Sequence, residues 1–125
     1  MDFNITPGLK FQTENIVEHK DTAAAIGSGF VEVLSTPMMI ANMEGTCAAC
    51  VKDYLPEGFS TVGTHVNVSH KAAVNLGESY KTECELIEVD RKKLVFKVRT
   101  FVDEKTIGEG THDRFIIDVS KFMSK

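Results

Sequence analysis

The chain has 125 residues, a net charge of −4 and 42% hydrophobic residues, enough for one domain over residues 1–125 that buries roughly two thirds of its unfolded surface. Acidic and basic residues interleave, so the basic stripe that phosphate neutralisation needs is missing and nucleic acid is excluded as a partner. The start MDFNITPGLK joins no basic segment to an apolar one, and no apolar run nears the roughly 20 residues of a bilayer span, so a cytoplasmic protein without membrane contact is expected.

In chain order, Leu9 to His19 mixes β-branched and polar residues after a Pro-Gly turn and predicts a first strand. DTAAAIGSG, residues 21 to 29, is small and glycine-punctuated and predicts a loop with at most a short helical turn; FVEVLS then runs extended. Thr36 as N-cap and Pro37 at the first helical position open a helix that Pro56 and Gly58 stop near Tyr54 and Leu55. Some 18 residues make a rod of about 27 Å, apolar almost all round, which must be wrapped by something. Between Val33 and Val51 Glu44 is its only charged side chain, and an unpaired buried carboxylate costs several kcal/mol, so a partner is required.

Four strands follow: Ser60 to Ala73, Ser79 to Val89, Leu94 to Val102 and Thr106 to Val119. The connections NLGE, DRKK and DEK are short and favour antiparallel neighbours. The class is therefore α+β, one antiparallel sheet wrapped around one long central helix. Cys47, Cys50 and Cys84 fit a reducing compartment, and the C-x-x-C pair, with no second ligand pair at zinc spacing, reads as buried core and not as a metal site.

Strand parity assigns faces. Val62, Thr64, Val66, Val68 and His70 share an apolar face and His65 the polar one, so His70 is either a satisfied core histidine or a base beside a buried carboxylate. On the last strand Ile107, Thr111, Phe115, Ile117 and Val119 oppose Gly108, Gly110, His112 and Arg114. The second set is either a surface face with a glycine bulge or a ligand-facing one, with Arg114 suited to an anionic or carbonyl group. Thr36, Glu44 and His70 are the parts of a hydroxyl nucleophile, an orienting carboxylate and a base, although Thr36 is also adequate as a plain helix cap. Thr36 and Glu44 lie eight residues apart, about 12 Å along a helix. Either a substrate spans that gap or a two-fold dimer brings Glu44 of one chain to Thr36 and His70 of the other; the dimer is preferred because it also covers an open sheet edge.

Leu34-Ser35-Thr36-Pro37 with Met43-Glu44, Thr61-Val62-Gly63-Thr64 leading to Val68-Ser69-His70, and Gly108-Glu109-Gly110-Thr111-His112-Asp113-Arg114 occur in an order and spacing that resemble the hotdog-fold thioesterase superfamily, in particular its fluoroacetyl-CoA thioesterase group. The resemblance implies a hotdog fold and an acyl-CoA thioesterase with Thr36, His70 and Glu44 as its catalytic residues. It further implies Gly63, Thr64, His112 and Arg114 as substrate-binding residues, no cofactor beyond the coenzyme A of the substrate, and a homodimer that can pair into a tetramer. The segment ahead of Thr36 departs from the fluoroacetyl-specific pattern. It is small and free of aromatics until Phe30, and a short or medium acyl group is expected. A non-catalytic acyl-CoA binding module is the alternative; a hydratase, which calls for a G-D-x-N-P-like helix start, is disfavoured by STPMM.

Overall fold

A computed structural model describes residues 3–124. Strand β1 (Lys10–Ile16) leads through a 3-10 turn (His19–Asp21) and one helical turn, α1 (Ala23–Ile26), to the long helix α2 (Thr36–Lys52). Strands β2 (Phe59–His70), β3 (Ser79–Asp90), β4 (Lys93–Val102) and β5 (Lys105–Asp118) follow, and α3 (Val119–Met123) closes the chain. All neighbours are antiparallel in the order β1-β3-β4-β5-β2, so β2, although first after the helix, occupies an edge of the sheet. The expected single sheet around a single helix is what the chain adopts. Its first strand is shorter than expected and FVEVLS contributes only isolated bridges, Thr22 to Leu34 and Val33 to Asn75.

The helix differs from expectation at both ends. Ser35, in extended backbone, is the N-cap, and its side chain accepts the Met38 N–H at 3.2 Å; Thr36 is the first helical residue and Pro37 the second. The helix stops at Lys52 with Asp53 as C-cap, before Tyr54 and Leu55. Ser35→Ala is expected to lower stability by about 1 kcal/mol, measured as a shift in the denaturant midpoint, because it removes the part-buried bond that satisfies the Met38 N–H.

The core joins Met39, Met43, Cys47, Cys50 and Val51 of α2 to Tyr80, Cys84, Leu86, Leu94, Phe96, Val98 and Ile116 of the sheet. All three cysteines are free and buried there, as expected, and among the described residues no group of side chains is arranged to hold a metal ion. The sheet covers one side of α2 and leaves Pro37, Ala41 and Gly45 exposed. That outer stripe is small instead of charged, which is why the helix reads as apolar all round.

Two bulges overturn the parity assignments. On β2 the register shifts between Gly63 and His65, leaving Thr64 as the extra residue. Thr61 and Gly63 therefore face the helix below the bulge, and Val66, Val68 and His70 above it; Val62 and Thr64 do not share that face. On β5 the shift against β4 falls at Ile107, which takes that residue out of its expected set, while Gly108, Gly110, His112 and Arg114 share one face as expected and, with Ile116, form the inner one. Phe115, expected on the apolar face, is 42% exposed. A bulge adds one residue to a period of two and so inverts everything beyond it.

The two inward glycines of β5 are required by contact. A Cβ on Gly108 would meet Met39 Sδ at 2.5 Å and Ser69 O at 2.8 Å, and one on Gly110 would fall on the backbone oxygen of Asn67. Gly110→Ala, which clashes with backbone that cannot swing away, is expected to cost about 3 kcal/mol or more, read from denaturant unfolding.

Candidate active site

Helix, short turn and returning strand make a hairpin of α2 and β2, and that topology sorts the nominated residues into two groups. The strand end carrying His70 comes back to the helix start, and the strand start carrying Gly63 lies beside the helix middle.

At the helix start, Thr36 Oγ1 lies 2.7 Å from His70 Nδ1. Thr36 has this freedom because Ser35 does the capping, so its hydroxyl is exposed at the N-terminus of a 17-residue helix. Burial lowers the pKa of His70 from the usual 6.5, partly offset by a backbone bond to Ala72. The imidazole is thus neutral at pH 7, and with its proton on Nε2 it offers Nδ1 as acceptor for the threonine hydroxyl.

Glu44 is not the partner of His70 within one chain. It is half-buried at the other end of the α2–β2 trough, where a Cβ built on Gly63 would be 3.5 Å from Glu44 Oε1, 3.3 Å from Arg114 Nη1 and 3.0 Å from His112 Cε1. Three nominated side chains converge on the one residue of β2 that has none. The distance of about 12 Å between Thr36 and Glu44 therefore stands, with Ile40 between them on the helix.

Arg114 is 8% exposed. Its Nε donates to Thr61 Oγ1 at 2.8 Å, its Nη2 to the Thr61 carbonyl at 2.9 Å, and its Nη1 points to His112 Nε2 at 3.1 Å. Burial pulls its pKa down, and Cys47 and Glu44 partly offset this. No carboxylate is within ion-pair distance of it among the described residues. Thr61, to which no role was assigned from sequence, is its main anchor; the signal that could have found it is the pairing of β2 with β5, which sets Thr61 and Gly63 opposite Ile116 and Arg114.

His112 is 1% exposed, with both ring nitrogens engaged by protein, so its ring does not line an open surface. Thr64, on the bulge, is exposed and donates to the Asp113 carbonyl at 3.2 Å, outside the group that meets at Gly63.

A single antiparallel sheet wrapped around one central helix is the fold of the hotdog thioesterases. The model of the fluoroacetyl-CoA-specific thioesterase family matches residues 17–120. A fluoroacetyl-CoA thioesterase from Streptantibioticus cattleyicolor is 34% identical over 96 residues, 77% of this chain and 69% of that one. The solved fluoroacetyl-CoA thioesterase FlK superposes with a TM-score of 0.91 at 28% identity, covering 97% of this chain and 94% of its own. A hot-dog-like protein from Thermanaerovibrio acidaminovorans shares the fold, with a TM-score of 0.89 at 21% identity over 99% and 93% of the two chains. The chain belongs to the fluoroacetyl-CoA-specific thioesterase family, and it is a thioester hydrolase.

Proposed function

We propose that the protein hydrolyses the thioester of a short or medium acyl-CoA, with Thr36 and His70 of one chain and Glu44 of a second chain in each site. The observation that carries this is the 2.7 Å contact between Thr36 Oγ1 and His70 Nδ1 beside a helix N-terminus, in a chain whose family hydrolyses such bonds. A variant of the related enzyme FlK was solved in complex with acetyl-CoA, which supports a small acyl group here. Residues 21–29, ahead of Thr36, are small and rich in alanine and glycine, with the exposed Phe30 the first aromatic after them, and for that reason selectivity for fluoroacetyl is not part of the proposal.

In the scheme, Thr36 Oγ or a water attacks the thioester carbonyl while His70 Nδ1 takes the proton; the tetrahedral centre collapses and the CoA sulfur leaves with that proton. If Thr36 attacks, water then cleaves the acyl-threonine with His70 again as base. Glu44 orients the imidazole or the water. Nothing beyond the coenzyme A of the substrate is called for, and a reducing, cytoplasmic setting suits three free thiols.

A dimer is supported by two features. The outer edge of β2 is a 12-residue strand without a neighbour, and Glu44 is too far from Thr36 to serve it within one chain. Two-fold pairing along β2 covers the edge and exchanges the carboxylates; pairing of dimers into tetramers is compatible with it. Among the described residues no helix is long and apolar enough to cross a membrane.

The test is a panel of acetyl-, fluoroacetyl-, hexanoyl- and longer acyl-CoAs with a thiol-trapping dye, alongside sedimentation to give the mass. Thiol release that is fastest with short or medium chains, from a dimer or tetramer, is expected. Binding of acyl-CoA without thiol release from any of them sinks the proposal.

A further inference from the structure

His112 is the most buried ionisable side chain of the inner sheet face, and the scheme above gives it no task. Its surroundings are defined on every side. From β2 the carbonyl of His65, just past the bulge, lies 2.8 Å from Nδ1. A carbonyl can only accept, so Nδ1 carries the ring proton and Nε2 holds a lone pair. That lone pair faces Arg114 Nη1 at 3.1 Å, where it accepts an N–H. From α2 the nearest charged group is Glu44, and from β4 the register partner is Phe96, which does not titrate. On β5 itself Asp113 is the remaining charge.

We propose that His112 is a positioning residue for Arg114: locked as the Nδ1–H tautomer by the His65 carbonyl, it holds the guanidinium by Nη1 and keeps its free N–H groups turned to the space above Gly63, opposite Glu44. Of the five N–H groups of an arginine, Thr61 takes two and His112 one. These bonds leave one N–H uncommitted on each terminal nitrogen. A guanidinium clamped on three sides presents those donors in one orientation to an acyl or carboxylate oxygen, whereas an unclamped one would turn toward Glu44. The β2 bulge is part of the device, since it sets the His65 carbonyl next to the ring while Gly63 stays beneath the guanidinium. A proton on Nε2 would face an N–H of a cation, and the clamp would open.

The assignment of Arg114 to acyl recognition rests on the thioesterase reading, and the experiment keeps the two apart. The first readout is independent of turnover: long-range ¹H–¹⁵N correlation of the wild-type imidazole, with the Arg114 Nη signals followed in His112→Asn and His112→Gln. The Nδ1–H tautomer is expected in the wild type, with slowed guanidinium rotation that Asn abolishes and Gln, whose Oε1 reaches the Nε2 position, preserves. The second readout is kinetic. His112→Asn is expected to raise KM about 10- to 100-fold, Gln to recover most of that loss, and Asn to add nothing in an Arg114→Lys background, as residues acting through one another do. An Nε2–H tautomer, guanidinium signals indifferent to Asn, or additive losses in the double variant would each overturn the proposal. A wild type that releases no thiol would defeat only the functional reading, and the tautomer and guanidinium signals would still test the clamp.

Discussion

His70→Ala is expected to lower kcat/KM for acyl-CoA hydrolysis about a thousandfold, by removing a proton acceptor held in contact with the attacking oxygen. Thr36→Ala is expected to match it if the threonine is the nucleophile and to cost much less if water attacks directly. Either result is informative only with the fold intact, and it should be, because Ser35 and not Thr36 caps α2. In the wild type the acid limb of kcat/KM should titrate below 6.5, since burial holds the His70 pKa under that usual value and only the neutral ring can act. A limb above 6.5 would contradict the environment described for His70. Burial likewise lowers the pKa of His112, with a bond to the His65 carbonyl working against this and the charge of Arg114 adding to it. The unfolded chain then binds protons before the folded one does. Stability is therefore full above about pH 6.5 and lost as pH falls through the folded pKa values, measurable as a falling Tm.

Glu44→Ala and His70→Ala homodimers should each be nearly inactive, and equal amounts mixed under subunit exchange should recover about one quarter of wild-type activity. Half of the dimers are then mixed, and each of these carries one intact site of its two: Glu44 from the His70→Ala chain, with Thr36 and His70 from the other. If every chain used its own Glu44, no mixed dimer would hold an intact site. Mass spectrometry of the exchanged sample supplies the control, and the absence of rescue after verified exchange would return Glu44 to its own chain.

The helix, the β3–β4 and β4–β5 hairpins and the wrapped sheet could be read from patterning because each is local: Pro56 and Gly58 keep α2 from running on, and turns such as 103–104 join strands that have no room to separate. NLGE, expected to join neighbours, instead links β2 to a β3 that pairs elsewhere, because β2 crosses to the far edge beside β5. Ser35 and Thr36 are both adequate caps by type, and only the conformation at residue 35 separates them. Thr64 and Ile107 escaped because parity counting assumes an unbroken ladder, and nothing in the residue types marks an extra position. The separation of Glu44 from His70 within one chain had a different cause. Register gave the face of His70 but not its height along the helix, and the short turn between α2 and β2 could have supplied it: a strand that doubles straight back sets residue 70 at the helix start and residue 63 at its middle. Arg114 and His112 were nominated by type, but their bonding depends on partners some fifty residues away.

The bulge at Thr64 makes β2 two half-strands in antiphase, joined by a residue that touches neither group. Position 64 thereby acts as a phase shifter in the chain. Deleting it would leave Gly63 and His70 on one face, whereas drawing it into the ladder as an ordinary paired residue would improve the strand by any pattern score while rotating either Gly63 or His70 to the solvent side. Two halves of the chemistry would then point in opposite directions. A redesign that irons the bulge flat while retaining Thr64 would keep every named residue of the trough and lose the trough itself.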